Sequence, residues 1–421
     1  MDAARQRRDN NSVILFAVAG YNLAETGRMI EIAKAAREHF DILFISYGGQ
    51  FEALIEREGF RLKKMAPRLT KEKLDRLRVV LSGETLNTVG YFSAKELAPR
   101  VNNEISLFNE IRPAAVLTGW CLSVTLSARA ARVPFVNVLH STSISEYYEA
   151  GLQTWPDRLH WLRRFFSEDK LNRRFNRRIL TATFPLRPYH KVGKRYDLKP
   201  FKNFIDLLEG DHTLLADIPQ WVDLPKVRPN MRYVGPLVAR LQADIPEEVA
   251  QMPRDKPLVY FAMGSSGKPR LVADIIEGFE GKPYRVIAPV KGLIENMHVK
   301  VPPNVIVTGF LPAHKVNPMA DLSVIHGGQN TVMNACLSGT PIVGMGMHPE
   351  QEANLEACVR KGFAIRLNKW RDAASDVLAA IDRLLGDDAA KEKVKVFQAE
   401  LEKWDGPQNA AAFLSETFGT D

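Results

Sequence analysis

Between His326 and Asn354 the chain reads HGGQNTVMNACLSGTPIVGMGMHPEQEAN, with a histidine, paired glycines and amide side chains ahead of a helical pattern and a second polar group behind an apolar run. The apolar DLSVI ends at Ile325, His326, Gly327 and Gly328 follow, and Gln329, Asn330 and Thr331 lead into a helix. Such a junction suits an anion. A helix start presents unpaired backbone N–H groups and a partial positive charge, glycines let a phosphate approach the backbone, and His326 adds a hydrogen bond. A plain tight turn between strand and helix has the same glycines, so the second polar group carries weight. Glu350, Gln351 and Asn354 fall at the carboxyl end of the next apolar run, the edge where open parallel sheets take ligands. A carboxylate beside an amide offers the mixed acceptors and donors that sugar hydroxyls require. A third loop, MGSSGKP, brings Gly264, Ser265 and Ser266 to the end of another apolar run, where they can cap phosphates from the opposite side.

The elements that position these groups alternate. VILFAVAG, the helical MIEIAKAAREHF and DILFIS form a βαβ unit, and the pattern repeats through RLKKM, AAVLTGW and PFVNVLH. A second series begins near Pro253 with PLVYFAMGSSG, YRVIAPV, NVIVTGF, DLSVIHGG and TPIVGMG. An α/β protein with two doubly wound, parallel-sheet, Rossmann-like halves is expected. The halves are assigned to residues 1–240 and 241–395, with helices at 396–421 crossing back to the first half and a boundary between Pro236 and Pro253. A length of 421 residues, 45% apolar and 25% charged, exceeds one ordinary core and excludes a disordered chain. The opening MDAARQRRDNN is charged and VILFAVAG is too short to span a bilayer, so a cytoplasmic protein is expected. Cys121, Cys336 and Cys358 are too scattered for a disulfide framework or a metal site, and no metal or cofactor is expected.

The formal net charge of +8 has a local source. Residues 158–202 hold 14 Lys/Arg against Glu168, Asp169 and Asp197, a net +11 that leaves −3 for the rest. RLHWLRRFFSEDKLNRRFNRRIL interleaves arginines with aromatics near helical spacing. Three readings stay open: a solvated helix packed on its own domain, peripheral contact with an inner membrane surface, and, less favoured, nucleic acid.

With these motifs in hand, the sequence resembles nucleotide-sugar-dependent glycosyltransferases of the two-Rossmann-domain GT-B fold, the branch of UDP-glucuronosyl, plant natural-product and antibiotic enzymes. HGGQNT resembles the plant signature HCGWNS, which implies that His326, Asn330 and Thr331 hold a diphosphate. Glu350-Gln351 resembles the Asp-Gln pair that holds sugar hydroxyls, and TGFLPAHKV resembles a WxPQ segment, making Phe310 the stacking residue for the base. RYVGPL resembles the end of the acceptor-binding domain. The chain departs from the pattern at Asn334, eight residues after His326, where many members place a ribose-binding glutamate.

The family's usual catalytic histidine is missing. Aligning Ile30–Ala33 with the family's L-x-L-A puts Ala24-Glu25 on the Gly-His pair, so Glu25 inherits the role of base by position. A carboxylate partly desolvated in a cleft can have its pKa raised enough to act. The bland alternative makes Glu25 a helix-start residue favoured by the macrodipole. His140, in VLHSTSISEYYE, is the rival base, and Tyr21 and Asn22 are assigned to the acceptor side. The resemblance implies an inverting, metal-independent transfer from a nucleotide sugar, UDP- or dTDP-type, to a hydroxyl acceptor. An epimerase or hydrolase of the same fold and a non-catalytic nucleotide-sugar or nucleic-acid binding protein are the alternatives.

Overall fold

The computed structural model describes residues 12–81, 91–263 and 268–419. Short runs of β-branched and aromatic residues, apolar on both faces, favour buried parallel strands covered by helices on either side. Seven form the first sheet: β1 (Val13–Val18), β2 (Asp41–Ser46), β3 (Arg61–Lys64), β4 (Ala115–Thr118), β5 (Phe135–Leu139), β6 (His212–Leu215) and β7 (Met231–Tyr233), in the order β3-β2-β1-β4-β5-β6-β7. Six form the second: β8 (Leu258–Ala262), β9 (Arg285–Ala288), β10 (Val305–Val307), β11 (Leu322–Ile325), β12 (Ile342–Met345) and β13 (Ala364–Leu367), in the order β10-β9-β8-β11-β12-β13. Neighbouring strands pair in parallel throughout, as Val13 with Asp41 and Leu322 with Val259. The two doubly wound sheets confirm the expected fold.

Each sheet reverses its strand order once, between β1 and β4 and between β8 and β11. A crevice opens outside the carboxyl ends of the strands at such a point. The helices that matter begin there or frame it: α1 (Leu23–Ala36) after β1, α2 (Ala94–Ile111), α3 (Glu168–Thr181), α4 (Gln329–Leu337) after β11 and α5 (Pro349–Lys361) after β12.

The tail divides between the halves. In α6 (Asp388–Leu401), Val394, Phe397 and Leu401 join the core of the second sheet. In α7 (Gly406–Phe418), Ala410, Phe413 and Leu414 join the core of the first sheet, and Asn409 donates to the Val234 carbonyl at 2.9 Å.

The basic segment is not one helix. A 3-10 stretch, Asp157–Arg164, kinks at Leu159, and α3 starts only after Ser167, whose extended backbone and the following Glu168 and Asp169 suit a helix start. Among the described residues, no helix is long and apolar enough to cross a membrane.

Candidate active site between the two sheets

The first half's crevice is built around α1. Asn22 caps this helix, its side-chain oxygen accepting from the Glu25 backbone N–H at 3.2 Å. The cap aims Glu25 inward, where it is 4% exposed. Its Oε2 accepts from Ala19 N–H at 2.7 Å, and its Oε1 from Gly119 and Trp120 N–H at 3.2 and 3.1 Å. One carboxyl therefore joins the ends of β1 and β4 at the point where strand order reverses. Burial lifts its pKa to about 7, against the three N–H donors and Arg28, which pull it down. Tyr21 stands close by; burial first and then Glu25 push its phenol well up. Ala19, Tyr21, Trp120 and Cys121 line a small pocket that also takes in Phe92 and Arg100.

One turn along α1, Arg28 is 7% exposed. It donates to the Val138 carbonyl at 3.4 Å and meets His140 Nε2 at 2.7 Å. A guanidinium only donates, so Nε2 accepts and the imidazole is neutral. Burial and the Arg28 charge hold its pKa well below the usual histidine range. His140 therefore does not have a base's geometry, because its free lone pair is occupied by Arg28. Asp217, at the end of β6, accepts from Ser141 N–H and Oγ at 2.8 Å each, and burial lifts it to about 7. Arg28 keeps its charge, with a pKa lowered to about 10 by burial and supported by Glu25, Glu350 and Asp217.

Across the cleft, His326 follows β11 and α4 begins with no side chain capping it. Gly327 sits at φ +85°, and a Cβ there would lie 2.6 Å from the Gln351 carbonyl. A Cβ on Gly328 would lie 2.7 Å from His326 Nε2, so the glycine lets the imidazole lie against the helix start. Burial lowers the pKa of His326 and leaves it neutral. Gln329 is 5% exposed and neither its amide nitrogen nor its oxygen has a partner, an unmet polar demand at this site. Asn330 differs from the expectation in one respect: its Oδ1 accepts from Ala239 N–H at 3.1 Å, holding the inter-domain linker. Asn334 donates to the Asn330 carbonyl at 2.7 Å, within the helix, and is 3% exposed. Thr331 is partly exposed in the first turn.

Glu350 and Gln351 open α5. Gln351 Oε1 accepts from Met347 N–H at 2.9 Å and so braces its own loop. Glu350 Oε1 accepts from Asn354 at 2.8 Å, while its side chain keeps 37% of its surface open. Phe310, after β10, is 63% exposed and packs into neither core. Gly264, Ser265 and Ser266 lie outside the described residues.

The halves meet directly. Thr142 Oγ1 donates to Asn354 Oδ1 at 3.2 Å, and Gln153 donates to the Pro349 carbonyl at 3.3 Å. The Asp157 N–H donates to Glu352 Oε2 at 3.2 Å, with Arg366 3.4 Å from the Asp157 carboxylate. Burial and the proximity of Asp157 raise the pKa of Glu352. Sequence reasoning missed Arg28, Asp217 and Glu352. Arg28 had a signal, since it lies three residues after Glu25 on a helical pattern and so shares its face. Asp217 and Glu352 had none, because their partners come from distant strands and helices.

Comparison with known proteins agrees with this fold. VinC, solved in complex with dTDP, superposes with a TM-score of 0.69 at 16% identity, covering 96% of this chain and 99% of that one. Spinosyn rhamnosyltransferase SpnG, solved with thymidine diphosphate, gives 0.65 at 14% identity over 96% and 99%. The fold is that of the GT-B glycosyltransferases. Residues 209–403 match the family described as UDP-glucoronosyl and UDP-glucosyl transferase. A PGL/p-HBAD biosynthesis glycosyltransferase of Mycobacterium tuberculosis is 27% identical over 342 residues, 79% of this chain and 73% of that protein. A PGL/p-HBAD biosynthesis rhamnosyltransferase of Mycobacterium bovis is 26% identical over 334 residues, 79% and 69%. The protein is a glycosyltransferase.

Proposed function

We propose that the protein transfers a sugar, with inversion and without a metal ion, from a UDP- or dTDP-type donor to a hydroxyl of a small-molecule or lipid acceptor. The observation that carries this reading is the meeting of two different chemistries across one cleft: Glu25 is held by the N–H groups of Ala19, Gly119 and Trp120 beside the pocket of the first half, and Glu350 at the edge of the second accepts from Asn354, whose Oδ1 accepts from Thr142 of the first half. The diphosphate lies against the N-terminus of α4 and neutral His326, and the unmet amide of Gln329 takes part in holding the donor. The same backbone N–H groups stabilise the charge that develops as the diphosphate leaves. Glu350 and Gln351 engage sugar hydroxyls, and exposed Phe310 stacks on the base.

The acceptor enters the pocket lined by Tyr21 and Trp120, and Glu25 takes its proton. A carboxylate with a pKa near 7 is matched to that task at neutral pH. Its Oε2 has a single donor, Ala19 N–H, and keeps a lone pair for the proton. Relatives whose names specify rhamnosyl transfer and structures that contain thymidine diphosphate support a deoxysugar-type donor, and the family name supports UDP.

Thermal stabilisation by UDP, dTDP, GDP and their sugars, with His326→Ala as control, tests the donor. A ligand at about a hundred times its Kd stabilises by ~2.7 kcal/mol. Stabilisation by one nucleotide, absent in the variant and insensitive to EDTA, is the expected result. No shift with any nucleotide refutes the donor site as drawn.

A further inference from the structure

The stretch from Asp157 to Phe184 has a surface the transfer reaction does not use. Trp161, Phe165, Phe166 and Phe184 are 51%, 69%, 43% and 52% exposed, and none belongs to a core cluster. The packing need of α3 is met elsewhere, by buried Leu171 and by Phe175, whose ring lies 5.9 Å from that of Trp155. Its outward face is basic. Lys170, Arg173, Arg174, Arg177 and Arg178 follow the spacing i, i+3, i+4, i+7, i+8, which puts them on one stripe, and all are exposed. Among the described residues no carboxylate pairs with any of these five, although Arg163 pairs with Glu168 at 3.0 Å. A row of exposed cations without counter-charges, flanked by exposed aromatic rings, carries an electrostatic and an apolar demand together.

We propose that this surface docks on an anionic phospholipid bilayer, the arginines meeting headgroup phosphates and the aromatic rings entering the boundary between headgroups and acyl chains. Charge complementarity selects this occupant, and aromatic residues favour that boundary. RNA fits less well: single strands stack bases on open ring faces, and here Trp161 and Phe165 lie edge to face, their centroids 6.4 Å apart. The surface also leads into the cleft. The 3-10 stretch that carries Trp161 starts at Asp157, which is bonded to Glu352, and Arg158 stands 5.2 Å over the ring of Trp370. Docking there holds the cleft beside the bilayer, where an acceptor dissolved in lipid would be found.

The test is flotation of the full chain with phosphatidylcholine vesicles, with and without phosphatidylglycerol, at low and high salt. Binding is expected to need phosphatidylglycerol and to weaken with salt. Arg173→Gln/Arg177→Gln lowers it about 25-fold, at ~5-fold per arginine near an anionic surface. Trp161→Ala/Phe165→Ala lowers it about ten-fold or more. Both variants alter exposed side chains and keep the wild-type melting temperature and nucleotide shift. Should the aromatic variant melt early, the arginine variant and the salt series decide alone. Equal binding to neutral vesicles, wild-type binding by the arginine variant, or displacement from vesicles by poly(U) with tighter binding to that RNA overturns the proposal. None of these results depends on the sugar or on Glu25, so failure here leaves the transfer reading intact.

Discussion

Replacing Glu25 by glutamine keeps the side chain's size and changes its chemistry, which separates two roles that the geometry gives to one group. The carboxylate accepts three backbone N–H bonds through two oxygens. Glutamine offers one oxygen and an NH2 group, so either Ala19 N–H or the Gly119 and Trp120 pair loses its acceptor. An orphaned buried donor costs about 1–3 kcal/mol. In a unit of this size each kcal/mol moves Tm by about 2–4 °C.

An opposite contribution depends on pH. The folded-state pKa of about 7 lies above the ordinary carboxyl value of 4.5. The stability linked to the protonated form is therefore present below 4.5 and lost as pH rises through 7, a difference of about 3 kcal/mol. The variant should melt several degrees below the parent at pH 5 and close to it at pH 8. Catalysis should move independently. The parent's kcat rises through a limb near pH 7 as the base ionises, and the glutamine variant loses about 10²–10⁴ in kcat together with that limb, while its nucleotide affinity stays. Calorimetry at the two pH values and a kcat profile with a saturating donor make the measurement. A variant that keeps the parent's kcat refutes Glu25 as the base. A melting deficit that is the same at pH 5 and pH 8 refutes the account of its burial.

Three further outcomes are expected. Gly328→Ala sets a Cβ 2.7 Å from His326 Nε2, so nucleotide binding should weaken about ten-fold or more in titration calorimetry, while Phe310→Ala, at a 63% exposed ring, should leave Tm unchanged and raise the donor KM by about two- to ten-fold. Glu352→Gln keeps an oxygen for the Asp157 N–H but cannot ionise. The parent's raised Glu352 pKa means stability present at low pH and lost as pH rises, so the variant should lose less Tm between pH 6 and 9 than the parent.

Much of the candidate donor site was legible because its signals are local. Gly327 and Gly328, the strand before them and the helix after them are consecutive, and the register of a βα unit puts the next polar group, Glu350 and Gln351, on the same edge. Phe310 was readable as a residue in a segment of known type, and its exposure is what separates it from a core phenylalanine. The basic segment was legible as charge but not as shape: composition located the arginines, while the break at Phe165 to Ser167 and the exposure of the aromatics are visible only in the folded chain.

The sequence by itself determined the architecture, because alternating apolar periods of strand and helix admit little besides two parallel sheets, and the glycine-bounded helix start, because steric freedom at Gly327 and Gly328 is a property of those residues. Tertiary structure decided which titratable groups do what. Glu25 is lifted to about 7 because it is buried where β1 and β4 end, His140 accepts from Arg28 because β5 ends beside α1, and Asn330 holds the linker because Ala239 passes over it. Protonation and hydrogen bonding depend on burial and on partners about a hundred residues away, which no local pattern encodes.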